Sequence, residues 1–133
     1  MSKSNKKLGN EFENELAEIL AENGFWVHLL NQNKSGQPAD IIATKNRQSF
    51  LIDAKVCTDN KFKLDRIEEN QHLAMQKWKN CGNGEGWFAL KVASGTYMIS
   101  HSVMKEVSET NTELKYIEIV AIGIELEKWM KWV

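Results

Sequence analysis

The sequence predicts an α/β domain built on a central mixed β-sheet flanked by α-helices. Helical apolar spacing opens the chain, gives way to short branched runs bounded by turn residues, then returns between two sets of such runs. The resulting order, αβββαββ followed by mixed elements, suits a sheet covered by helices. Apolar residues make up 42% and charged residues 26% of the 133 positions, an ordinary globular balance. A chain of this length fits one domain that buries about two-thirds of its unfolded surface.

The first element is a helix over residues 9–23, because Leu8, Phe12, Leu16, Ile19 and Leu20 recur at helical spacing and Asn23-Gly24 supplies a stop. Residues 25–30 are aromatic and branched enough for a strand, and the polar stretch 31–37, containing Ser35-Gly36, reads as a loop. Apolar runs 39–44 and 49–56 flank Lys45-Asn46-Arg47-Gln48 and form a β-hairpin, although its turn lacks the favoured Asn-Gly pair. Asp65 with Glu68 three residues on makes a capping box for a helix reaching residue 80, with Ile67, Leu73 or Ala74, Met75 and Trp78 facing inward. Gly82, Gly84 and Gly86 break the chain before strands 87–93 and 96–100, which turn at Ser94-Gly95. A short helix capped by Ser102 covers 102–107. The alternation of Tyr116, Ile117, Ile119, Val120 and Ile122 favours a strand within 114–126, and a terminal helix spans 125–132. The lysine-bearing tail 1–7 is expected to be flexible.

Several classes drop out. No apolar run approaches the roughly 18 to 20 residues that cross a bilayer, and the opening MSKSNKKLGNEFENE has no signal-peptide core, so the expectation is a cytoplasmic protein without a membrane partner. Cys57 and Cys81 match neither a disulfide framework nor a CxxC zinc pattern. The net charge of −1 does not advertise a nucleic-acid binder. Placement says more: acids crowd the first helix (Glu11, Glu13, Glu15, Glu18, Glu22), while Lys3, Lys6 and Lys7 gather at its tip and Lys45, Arg47, Lys55, Lys61, Lys63 and Arg66 around the centre.

Charged residues inside an apolar strand need an explanation, since Asp and Lys are rarely buried without a partner or a metal. Leu51-Ile52-Asp53-Ala54-Lys55-Val56 holds both. Side chains alternate along a strand, so Asp53 and Lys55 share a face. A loop symmetric about Asn46-Arg47 pairs Lys45 with Gln48, and counting outward sets Asp40 opposite Asp53. Such residues have Cβ atoms about 4.5 to 5.5 Å apart. Two carboxylates at that separation repel unless a proton or cation lies between them, and a hard divalent ion, Mg2+ before Mn2+, suits oxygen ligands. Asp40, Asp53 and the Ala54 carbonyl would hold it, with Lys55 beside a scissile phosphate. The triplet [DE]xK alone is weak, because Asp59 to Lys61 and Glu113 to Lys115 repeat it. Only Asp53 to Lys55 lies in an apolar strand with an aspartate at hairpin distance. The plainer alternative is a water-exposed ion pair between Asp53 and Lys55.

The pattern Gly9-x-x-Phe12-Glu13, Pro38-Ala39-Asp40, Asp53-Ala54-Lys55, then Thr58, Phe62 and Gln71 resembles the PD-(D/E)XK nucleases, and among them the RecU-type Holliday junction resolvases of Gram-positive bacteria and their phages. The resemblance covers residues 9–100. It implies a restriction-endonuclease-like fold and a metal-dependent, structure-selective DNA endonuclease. It implies Glu13 as a further metal or water ligand and Gln71 as an active-site residue steadying the lysine or a phosphate. It also implies a homodimer whose two sites nick opposite strands of a four-way junction. Thr58, Lys61 and Lys63, with Lys6 and Lys7 on the tail, would contact the DNA. Without the resemblance, Glu13 is one of five helix acids and Gln71 an ordinary helix residue. RecU-type enzymes carry a longer insertion before the equivalent of Asp40, where only the loop 31–37 stands here.

Other groups read as structural. His28, His72 and His101 lack ligand spacing and fit surface or core-edge positions. Ser100-His101-Ser102 has no nucleophile elbow, and Gly82-x-Gly84-x-Gly86 precedes a strand and lacks a phosphate-binding lysine. The five tryptophans, Trp129 and Trp132 among them, are chiefly core. Rival functions are a duplex nuclease of the same fold and a DNA-binding accessory protein without turnover.

Overall fold

The structure, a computed structural model, describes residues 4–30 and 39–133. The predicted loop 31–37, Pro38 and residues 1–3 of the predicted tail lie outside the described residues. Helix α1 (Asn5–Glu22) begins earlier than its apolar spacing suggests, because Ser4 caps it with its hydroxyl accepting from the Lys7 N–H at 3.2 Å. Lys6 and Lys7 are therefore helical rather than part of a tail. Phe12, Leu16 and Leu20 bury one stripe of α1, and Gly24, at φ 88°, turns the chain into β1 (Trp26–Leu29).

Strands β2 (Ile41–Lys45) and β3 (Gln48–Val56) form the predicted hairpin in the predicted register, from Lys45 opposite Gln48 to Ile41 opposite Ile52. Asn46 and Arg47 both take positive φ, 52° and 67°, which is the backbone of a type I′ turn formed without its usual glycine. After β4 (Phe62–Lys63) and a 3-10 turn (Leu64–Arg66) come α2 (Glu69–Trp78), a π-helical turn (Lys79–Asn83), β5 (Gly86–Val92) and β6 (Gly95–Ser100). The remainder is α3 (His101–Ser108), β7 (Glu113–Leu114), α4 (Tyr116–Ile122), β8 (Ile124–Glu125) and α5 (Leu126–Trp132).

Among the described residues, six strands make one mixed sheet in the order β1-β2-β3-β5-β6-β8, parallel only between β3 and β5, while β4 and β7 form a separate ribbon. Alternation in β3 sends Phe50, Ile52 and Ala54 to one face, where Phe12, Leu16 and Leu20 of α1 and Trp129 of α5 cover them. Trp129 is fully buried among Phe25, Phe50 and Trp87, with ring centroids 5.8, 5.1 and 5.6 Å away. The opposite face, carrying Leu51, Phe88, Leu90 and Ile99, lies under Met75 of α2, Met104 of α3 and Ile119 of α4. Asp53 and Lys55 alternate onto this second face, in register with Phe88 and Leu90 of the neighbouring β5.

The sequence reading is corrected at further places. Helix α2 starts at Glu69, not after Asp65, because the Gln71 side chain accepts from the Glu68 N–H at 3.1 Å while Asp65 sits in the preceding 3-10 turn. Leu73 is then 63% exposed, and Met75 alone is the fully buried apolar residue of the helix. Ser100 rather than Ser102 caps α3, accepting from the Val103 N–H at 3.3 Å. Residues 116–122 are helical instead of extended: Glu118 accepts from the Lys115 N–H at 3.0 Å to start the turn, and only Ile119 of the apolar alternation is buried. Gly123 ends α4 where a Cβ would stand 2.7 Å from the Ile119 carbonyl oxygen and 2.8 Å from Tyr97 Cβ, so the chain can close onto β6.

Candidate active site

The hairpin register carries Asp40 and Asp53 to the same end of the sheet. Asp40 sits one residue before β2 at a bend, with its N–H bonded to the Ile52 carbonyl at 3.1 Å and its carbonyl accepting from Leu30 at 2.9 Å. Its Oδ2 reaches across β3 to accept from the Ala54 N–H at 2.8 Å. The Asp40 carboxylate is near enough to both Glu13 and Asp53 to raise the pKa of each.

Asp53 is buried, and the chain grips it from two sides. Gln71 Nε2 donates to Oδ1 at 3.2 Å, and Lys55 Nζ lies 3.1 Å from Oδ2. That ion pair is close, yet Oδ2 has no well-directed hydrogen bond. Burial first, and then the negative Asp40, hold the Asp53 carboxyl well above the ordinary carboxylate range against the opposing pull of Lys55. Glu13 reaches the same point from α1. Burial, then the charge of Asp40 and the hydrogen bond with it, push Glu13 up to about 8, and Lys55 offsets only part of this. Glu13 Oε2 is also buried without a partner.

Gln71 serves two neighbours at once: its oxygen begins α2 at Glu68 and its nitrogen holds Asp53. It therefore steadies an acid of the cluster, where the family resemblance suggested the lysine or a phosphate. All five residues line a cavity of about 620 Å3 that also takes in Ala54, Thr58, Lys61, Lys63 and Arg66. Lys6 and Lys7 are exposed on the first turn of α1 and do not line it, whereas Asn5, Leu8 and Gly9 of that helix do.

Two carboxyls held up in pKa, with Glu13 Oε2 unpartnered and Asp53 Oδ2 answered by the single Lys55 ammonium, are the mark of negative groups crowded with too little counter-charge. A hard cation supplies that charge through oxygen ligands, so the residues present fit Mg2+. Among the described residues no three His, Cys, Asp or Glu side chains make a ready cage. The fit is to an ion that keeps much of its water and takes one or two carboxylates, as Mg2+ does.

Sequence reasoning passed over Arg66, which it met only as one of several basic residues. Arg66 Nη1 donates to the Val56 carbonyl at 2.9 Å and its guanidinium lies 5.4 Å from the Phe62 ring, which holds it at the cavity edge. No spacing rule reports that, because it depends on the β4–β7 ribbon. Glu113, opposite Lys63 in that ribbon, lines the cavity as well.

The sheet, the strand-borne Asp53-Ala54-Lys55 and the acids from α1 and the hairpin together define a nuclease-like PD-(D/E)XK fold. The family model described as archaeal Holliday junction resolvase (Hjc) matches residues 4–133, and the chain belongs to that family. This lies in the same nuclease superfamily as the RecU-type enzymes that its motifs resemble. The fold matches a crystal structure of Archaeoglobus fulgidus Hjc, described as a Holliday junction resolvase from an archaeal hyperthermophile, with a TM-score of 0.68 and 20% identity over 89% of this chain and 94% of that one. A UPF0102 protein of Fusobacterium nucleatum is 40% identical over 58 residues, 43% of this chain and 48% of the relative, so the match spans about half of that protein's length.

Proposed function

We propose that this protein is a Mg2+-dependent DNA endonuclease that resolves four-way junctions, acting as a homodimer whose two sites nick opposing strands. The observation that carries the reading is the meeting of Glu13, Asp40, Asp53 and Lys55 in one cavity with Thr58, Lys61, Lys63 and Arg66 around it. Membership of the Hjc family supports the choice of branched DNA over linear duplex.

Asp40, Asp53 and the Ala54 carbonyl would hold the ion, with Glu13 directly or through water, and Mn2+ can stand in for Mg2+. The ion supplies charge neutralisation at the phosphate and an acidified water. The chain's own residues do the rest. Ala54 N–H fixes the rotamer of Asp40, and Gln71 fixes that of Asp53. Lys55, paired with Asp53, presents its ammonium to the scissile phosphate, where it orients the attacking oxygen and stabilises the charge gathering in the transition state. Hydrolysis leaves a 5′-phosphate. Thr58, Lys61, Lys63 and Arg66 bind flanking phosphates, a role that sets register without reading sequence, and Lys6 and Lys7 extend the track outside the cavity.

The test is a labelled four-way junction and a linear duplex of the same sequences, each with Mg2+ or EDTA. Paired nicks confined to the junction and dependent on Mg2+ are expected. Cutting of linear duplex at an equal rate would make it a duplex nuclease, and binding without cutting would make it an accessory protein.

A further inference from the structure

The sheet face that bears Asp53 and Lys55 continues past them to the β1 edge. Val27 and Leu29 share a cleft with Ala17 and Ala21 of α1 on the other side of the sheet, so Trp26 and His28 alternate onto the Asp53 face, in register with Thr44 and Ile42 of β2. Helices α2, α3 and α4 cover this face over the central strands. At the β1 edge it lies open: Trp26 is 62% exposed and His28 is exposed, while Ile42 and Thr44 are half-buried. The indole and imidazole rings lie parallel, within 8° of each other, with centroids 6.1 Å apart.

We propose that Trp26, backed by His28, is a stacking platform for an unpaired base of the DNA whose phosphate is held at Lys55. The proposal rests on the nuclease reading and names the substrate feature that the open face selects. Trp26 stands in water on an edge strand, where it adds little to the core, and its flat ring fits another flat π-system. Trp26 and His28 lie two strands across and four or two residues along from Asp53, which strand geometry converts to about 12 to 17 Å on one face. That distance is about four or five nucleotides at roughly 3.4 Å each along a strand.

The residues that the register places at this edge, Trp26, His28, Ile42, Thr44 and Ser49, include no acid, and Arg47 is exposed in the adjoining turn. A polyanion is admitted here, whereas the acid-rich α1 covers the other side of the sheet. Stacking on His28 holds the indole in one rotamer, so less freedom is lost when a base arrives. Within continuous duplex each base face is occupied by its neighbour, and a free face exists only where stacking is interrupted, as at a branch point or in a single strand. A second copy of the chain fits less well, because two exposed rings offer roughly 200 to 300 Å2 against the about 800 Å2 per partner of a stable interface.

Fluorescence anisotropy of the full chain in EDTA, where no cleavage intervenes, tests this on a four-way junction, a single strand and a continuous duplex of matching sequence. Trp26→Ala should weaken junction and single-strand binding about tenfold or more and leave duplex binding within about twofold, and Trp26→Phe, which restores a ring, should recover most of the loss. The Tm of Trp26→Ala should stay near wild type, as expected for an exposed side chain. Equal junction affinity in wild type and Trp26→Ala, or an equal loss on every DNA, would overturn the platform. So would loss of self-association in Trp26→Ala by sedimentation, which would make Trp26 a subunit contact. A protein that binds the junction through Trp26 yet never cuts it would refute the nuclease reading and leave the platform standing.

Discussion

Replacing Glu13 with glutamine tests the crowding of carboxylates directly, through stability rather than catalysis. The unfolded chain ionises Glu13 near 4.5, whereas the folded protein holds its proton up to about 8. Between those values the native state binds more protons than the unfolded state, so stability falls as pH rises and levels off above the folded pKa. A fully buried group would contribute about 1.4 kcal/mol per pH unit across that window, and about half that is expected after solvent screening at a cavity wall. Glutamine keeps the shape and removes the titration. Urea unfolding in EDTA between about pH 5 and pH 8 should therefore show a shallower loss of stability for Glu13→Gln than for wild type, with the variant the more stable at the upper end. Asp53, also held high, leaves a residual slope in both proteins. Parallel stability curves for the two would refute the idea that Glu13 is pressed against Asp40 in the metal-free protein.

Further substitutions probe the rest of the site and its support. Lys55→Ala should retain junction binding in a gel-shift assay while cleavage falls about a hundredfold or more, and an unchanged nicking rate would remove Lys55 from the chemistry. Gln71→Ala removes both the Asp53 contact and the turn that opens α2, so urea denaturation should show a loss of about 1 to 2 kcal/mol alongside slower cleavage; full activity would mean that Asp53 does not need this tether. Arg47→Gly relieves a non-glycine residue at φ 67° and should stabilise the hairpin by about 1 kcal/mol in thermal unfolding, with destabilisation the contrary result.

The parts of this molecule that were legible in the sequence are those set by neighbours along the chain. A two-residue turn and period-two alternation suffice to put Asp40, Asp53 and Lys55 together, and the observed pairing of Lys45 with Gln48 follows from that local arithmetic. Glu13 and Gln71 were reachable only by family resemblance, because α1 and α2 bring them in from separate elements and nothing in their spacing reports the packing. Residues 116–122 misled for a different reason: apolar residues stand at both strand and helix spacing, and the choice is made by Glu118 bonding to Lys115 and by the close approach at Gly123. The contact of His72 Nδ1 with His101 Nε2, 3.0 Å apart, has no local signature at all, since it depends on how α2 and α3 cross the sheet.

The identity of residue 71 shows how the site stays poised. A lysine there would neutralise Asp53 as Lys55 begins to do, and the cluster would lose its demand for a cation. Glutamine instead donates a neutral hydrogen bond to Oδ1, which fixes the rotamer and leaves the charge largely unanswered, and the other oxygen remains without a well-directed bond. Three acids from α1, the approach to β2 and β3 then face one ammonium across a buried space. Such an imbalance destabilises the empty fold whenever the acids ionise, and it turns into affinity once a divalent ion arrives. On this reasoning Mg2+ should stabilise wild type more at pH 8 than at pH 5, where protons already relieve the repulsion. Equal stabilisation at both would mean that the carboxylates do not share the ion.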